Sequence, residues 1–153
     1  LKLAKALWAS DETSFEGQHF SAPAITNNPR PLSTPHPRLM VGGTGPNKTL
    51  RMVAEYADAC NIGDWVGRDN VQKALDTLKG HCDSLGRDYD TIEKTSLCTV
   101  HLSGKDTVGS TMARLEDLSA MGFTHAIFNM PDVYAISPLE TFGKEIIPAA
   151  AEL

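Results

Sequence analysis

From Pro37 onward the chain alternates short apolar runs with amphipathic helical patterns, and it does so four times. Arg38-Leu-Met-Val41 is the first run; Leu50, Val53, Ala54 and Ala57 then follow at helical spacing. Asp58–Ile62 is the second run. After it Val71, Ala74, Leu75, Leu78, Cys82 and Leu85 form one stripe, with Asp69 as the expected N-cap and Gly86 placed for a glycine C-cap. Thr95–Leu102 is the third run, and Asp106 is expected to open a helix with Val108, Met112, Leu115 and Leu118 inward, closed by Gly122. Thr124–Asn129 is the fourth. Ser137-Pro-Leu-Glu140 then combines an N-cap Ser, a Pro at N1 and a Glu at N3, the pattern of a capping box. Near-continuously apolar strands alternating with helices imply an α/β fold, a parallel sheet covered by helices. Four such units fit half of a (β/α)8 barrel or an open doubly wound sheet.

The first 37 residues read differently. Leu3, Ala6 and Leu7 share one face of a short helix over residues 1–9, and the chain opens on Leu1 without an N-cap, so the natural start is expected upstream. Phe15 and Phe20 flank a Glu-Gly turn, a small hairpin over Ser14–Phe20. Residues 21–37 hold Pro23, Pro29, Pro31, Pro35 and Pro37 and are expected to be an irregular connection. The expected organisation is one domain over 1–153, with 1–37 as lead-in and 38–153 as the βα units.

Charge and composition remove several classes of function. With 14 Lys and Arg against 19 Asp and Glu the net charge is -5, and no basic run suggests a nucleic-acid surface. The apolar runs are too short to span a membrane. Cys60, Cys82 and Cys98 are odd in number and widely spaced, so no disulfide framework or zinc site is indicated and a reduced, cytoplasmic setting is expected. His19, His36, His81 and His125 lack ligand spacing, and no metal is expected.

The richest stretch is Leu39-Met-Val-Gly-Gly-Thr-Gly-Pro-Asn-Lys-Thr-Leu50. Glycines between strand and helix let backbone approach a ligand, and the helix start offers N–H groups to an anion. A Walker loop would need Gly directly before Lys48-Thr49, where Asn47 stands; a Rossmann fingerprint would need Gly at position 48; a nucleophile elbow would need a Ser between glycines. What is left is a generic phosphate cradle, or glycines that only turn the chain.

The loop Val41–Pro46, then Thr49-Leu-Arg51 and Val53–Asn61, resembles the fifth βα unit of luciferase-like monooxygenases and their deazaflavin-dependent relatives. Leu7-Trp8, Phe15-Glu-Gly17, Phe20, Pro29-Arg-Pro31, Pro35-His-Pro37, Cys82-Asp83, Gly86–Asp90 and Gly122–Phe128 are similar to that family as well, in the same order. The resemblance implies a (β/α)8 TIM barrel of which this chain is the C-terminal half, with a small hairpin insertion near its start. It implies that the loop binds the phosphate of coenzyme F-420, the favoured cofactor, or of FMN. Gly43, Thr44 and Gly45 would then be the binders, with Gly42 shaping the turn and Asn61 bordering the cofactor. The implied activity is hydride transfer with a small organic substrate, the catalytic groups lying mostly in the other half. The competing reading is a non-catalytic phosphate-binding module or inactive scaffold.

Further candidates sit at strand ends. Asp64 and Trp65 follow Asn61 and would face the barrel mouth, against a tidy strand end and an exposed loop Trp. His101 and Asn129 end the third and fourth runs and could face the mouth, and Asp132 follows Asn129 with a catalytic role open to it; each competes with a purely structural role. Lys48 and Arg51 could reach a phosphate but fit a solvated helix face; Met40, Met112 and Met121 read as core filling. No nucleophile–base or acid–base pair stands out, so no catalytic residue is assigned. A half-barrel would expose strand edges, from which self-association, or pairing with the missing N-terminal half, is expected.

Overall fold

A computed structural model describes residues 1–153 and divides them into two units, Leu1–Leu39 and Met40–Leu153. The first holds α1 (Lys2–Ala9) and an antiparallel hairpin of β1 (Glu12–Glu16) and β2 (Ser21–Thr26). The hairpin was expected over Ser14–Phe20, yet its second strand is Ser21–Thr26, within the stretch read as an irregular connection. Pro23 is compatible with a strand here because the register slips between Thr13 and Phe15, so no ladder bond is asked of it. The Ala24 amide at that bulge donates to Ser14 Oγ instead, at 3.2 Å.

In the second unit β3 (Met40–Gly42), β4 (Ala59–Asn61), β5 (Glu93–Thr99) and β6 (His125–Asn129) form one parallel sheet. Between them run α2 (Thr49–Tyr56), α3 (Arg68–Leu85) and α4 (Val108–Ala120). The strand order β3-β4-β5-β6 follows the chain without reversal. Right-handed crossovers always stepping the same way put every helix on one face, which is barrel winding; a doubly wound sheet needs a reversal of order. This removes the open-sheet alternative.

The core lies between sheet and helices. Leu50, Val53 and Ala54 of α2 and Val71, Leu75, Leu78 and Cys82 of α3 pack with Cys60, Ile62 and Cys98 of the sheet side. A smaller cluster of Val100, Leu115, Phe142 and Ile146 lies toward β6. Met112 and Met121 pack against these clusters, but Met40 is half exposed, as is Leu85 at the end of its stripe. A buried lysine was not foreseen: Lys94 on β5 donates to the Tyr89 carbonyl at 3.2 Å and lies 3.9 Å over the Tyr89 ring.

Helix ends show where local pattern misleads. Gly86 takes the left-handed cap with φ 64° as expected. Asp69, however, lies inside the first turn of α3, and Gly67 is the cap. Thr107, not Asp106, caps α4, in a reciprocal capping box with Ser110. Ser137 makes no cap either; α5 (Ile136–Thr141) starts before it and continues through a π turn (Phe142–Ile146) into α6 (Ile147–Ala150). The wide turn has a cause: Pro148 offers no N–H and its ring crowds the carbonyl four residues back, so the ladder shifts to a five-residue step from Ile147 to Phe142. No helix is long and apolar enough to cross a membrane.

Candidate functional site

Parallel strands bring all their C-terminal ends to one edge, and there the glycine loop meets Asn61. Gly42 ends β3 opposite Asn61, and a Cβ on it would make only ordinary contacts. Gly43 makes the turn: its φ of 117° suits glycine, and its amide donates to the Asn61 carbonyl at 2.9 Å. Gly45 is fixed by space, since a Cβ there would stand 2.8 Å from Thr49 Oγ1. Its carbonyl accepts from the Leu50 amide at 3.0 Å. The amides of Thr44, Gly45, Asn47 and Lys48 donate to nothing within the chain. They stand at the start of α2, where the helix dipole adds partial positive charge.

The Asn61 side chain is held from the next strand. Its Nδ2 donates to Thr95 Oγ1 at 2.7 Å, while Thr95 donates to the Cys60 carbonyl at 2.8 Å. Asn61 as a whole is half-buried at the end of β4. Lys48 is exposed at the N-cap of α2, and Arg51 is engaged by Glu55 at 3.0 Å on the helix surface.

The β5–β6 end is ionic. Asp64, in a short 3-10 turn (Asp64–Val66), lies 3.3 Å from Arg114 of α4, which also stands 3.5 Å from Asp106 and donates to the Thr99 carbonyl at 2.9 Å. Trp65 is exposed and lies over Gly63, so close that a Cβ there would overlap the ring. The His101 amide donates to Asp106 at 2.8 Å, and its ring stands 3.9 Å from Asp132. Asp132 is buried, accepts from the Ser103 amide at 2.9 Å through Oδ2, and has no partner for Oδ1. Hydrogen bonding from Ser103, through its hydroxyl first and its amide second, holds the Asp132 carboxyl below its usual range. Burial, aided by the nearby Asp64, pushes the Cys98 thiol up to about 11. Asn129 ends β6 exposed, its carbonyl accepting from Val100 at 3.1 Å.

The structure therefore joins Gly42, Gly43, Thr44, Gly45 and Asn61 in one place, and sets Asp64, His101 and Asp132 apart in another network. Sequence reasoning missed His81, Thr49 and Arg114, whose contacts are long-range or sterically specific. Thr49 alone left a signal, as a small residue four positions after Gly45.

The family model for luciferase-like monooxygenases matches residues 1–131. No curated protein sequence matches. Among solved structures the chain is similar to an F-420-dependent secondary alcohol dehydrogenase in complex with an F-420-acetone adduct, with TM-score 0.77, 17% identity and 97% of this chain covered. It is also similar to the coenzyme F-420-dependent tetrahydromethanopterin reductase from Methanopyrus kandleri, with TM-score 0.77, 14% identity and 96% covered. A riboflavin lyase with modified FMN and substrate riboflavin gives TM-score 0.74, 10% identity and 99% covered. The chain spans 59%, 61% and 55% of those proteins, so it corresponds to part of a TIM barrel. A strand order without reversal, a glycine turn opening on α2, and a family match over most of the sequence lead to one conclusion: the chain belongs to the luciferase-like monooxygenase family, a family of oxidoreductases.

Proposed function

We propose that this chain supplies the cofactor-phosphate loop of an oxidoreductase that transfers hydride between a deazaflavin or flavin and a small organic substrate. The observation that carries the reading is the set of unpaired amides at Thr44 and Gly45, followed by those of Asn47 and Lys48, at the start of α2. A phosphate fits such a group: it is anionic, accepts several hydrogen bonds, and meets no side chain at Gly45. The Thr44 hydroxyl adds a further donor. Gly43 shapes the loop rather than binding, because its amide is already given to Asn61. Asn61, anchored by Thr95, presents Oδ1 to the edge of the cofactor.

When bound, the cofactor supplies the hydride chemistry. The residues of this chain bind and orient it; none of them is assigned a proton transfer. Coenzyme F-420 is the favoured guest and FMN the alternative, because both offer a phosphate to the same loop. Residues 1–153 alone are expected to lack turnover. The end strands β3 and β6 each leave one edge without a partner strand in this sheet, and pairing there, with a second copy or with upstream sequence of the same protein, is part of the proposal.

Absorption spectra of the full-length protein titrated with F-420 and with FMN test this reading. A saturable shift with one of them supports it. Phosphate binding without binding of either cofactor would favour a non-catalytic phosphate module.

A further inference from the structure

His81 lies on α3, yet its side chain reaches the glycine loop. Its Nε2 stands 2.7 Å from the carbonyl oxygen of Pro46. A carbonyl only accepts, so the imidazole donates, and Nε2 carries the proton. That bond has a geometric consequence. In a trans peptide the C=O and the following N–H point in opposite directions. Holding the Pro46 carbonyl toward α3 therefore turns the Asn47 N–H away from α3, and that amide is among those without a partner in the chain.

A second clamp grips the far end of α2. Arg87, just beyond α3, donates to the carbonyls of Val53 at 3.3 Å, Ala54 at 3.1 Å and Ala57 at 2.7 Å. With its C-terminal end fixed by Arg87 and its core face by Leu50 and Val53, α2 has little freedom. The loop before it has less support: the Gly43 bond to Asn61, the Leu50 bond to Gly45, and His81. Of these, only His81 restrains the Pro46–Asn47 peptide.

We infer that His81 is a positioning residue for the phosphate loop, orienting the Pro46–Asn47 peptide so that the Asn47 amide joins those of Thr44 and Gly45 as a donor to the cofactor's phosphate. The inference rests on the phosphate-loop reading above. It does not require His81 to touch the cofactor.

The test compares the full-length protein with His81→Ala and His81→Gln, the amide of Gln being able to donate at similar reach. Two readouts are taken: the dissociation constants for F-420 and FMN, and the exchange rate of the Leu50 amide in the cofactor-free protein, which reports order at the Gly45 carbonyl. His81→Ala is expected to weaken binding of the bound cofactor about three- to tenfold, the worth of one hydrogen bond, and to speed Leu50 exchange. His81→Gln should restore both, with Tm unchanged across the set. Binding and exchange that His81→Ala leaves untouched would overturn the inference. So would a loss that tracks a falling Tm and is not rescued by Gln. Failure of the unsubstituted protein to bind either cofactor would defeat the phosphate-loop reading itself, and this inference with it.

Discussion

The two ends of the sheet are built on different principles. Around β3 and β4 a large apolar cluster supports a loop made almost wholly of backbone, with amides left unpaired. Around β5 and β6 the cluster is smaller, an apolar groove of about 600 Å³ opens beside Leu115, Phe142 and Ile146, and the strand ends are closed by ionised side chains. A stiff base with unfilled donors is suited to an anion whose position must be fixed. A base with an open groove, where Asp64 and Asp106 are already paired with the Arg114 guanidinium, is not.

Core truncation should separate the two ends most strongly. Leu50→Ala, in the large cluster, is expected to cost about 3–5 kcal/mol of stability, and Leu115→Ala, beside the groove, about 2 kcal/mol. Denaturant titration measures both; equal losses would break the contrast. Gly45→Val comes next. Its branched side chain would collide with Thr49, and at least a tenfold loss of cofactor affinity, about 1.4 kcal/mol, is expected by titration. Arg114→Met should cost about 1–2 kcal/mol of stability by leaving Asp64 and Asp106 without their cation, while cofactor affinity stays unchanged.

A smaller effect concerns acid. The Asp132 carboxyl titrates lower in the folded chain than its ordinary value of 3.8. Its contribution to stability is thus fully present above that value and is lost as pH falls through the folded pKa. Asp132→Asn should flatten the loss of stability below about pH 4, followed by urea midpoints across pH. Smallest is a reactivity difference: Cys60, Cys82 and Cys98 are buried and their thiols are raised by burial, so the native chain should resist thiol reagents at pH 8 that label all three in denaturant.

Much of this architecture was legible in the residues, because hydrophobic periodicity reports burial directly. The stripes on α2, α3 and α4 survived almost intact, and Gly86 stands where a positive φ is required. Caps were less legible. Asp69, Asp106 and Ser137 are all chemically able to cap, and which residue does so depends on where the chain enters the helix. Strand β2 was hidden by Pro23, whose ladder bond is excused only by a bulge in its own strand at Pro23–Ala24. In the site, the glycines announced a tight loop, but the spending of the Gly43 amide on Asn61 and the reach of His81 to Pro46 cross 18 and 35 residues of chain. Contacts of that span leave no local pattern to read.

The central claim meets its most direct test in a crystal structure of the full-length protein with bound F-420 or FMN. A phosphate oxygen should lie about 3 Å from the amide nitrogens of Thr44 and Gly45, with the Gly43 amide still donating to Asn61. A cofactor whose phosphate sits away from this loop, or reaches it only by breaking the Gly43–Asn61 bond, would contradict the account.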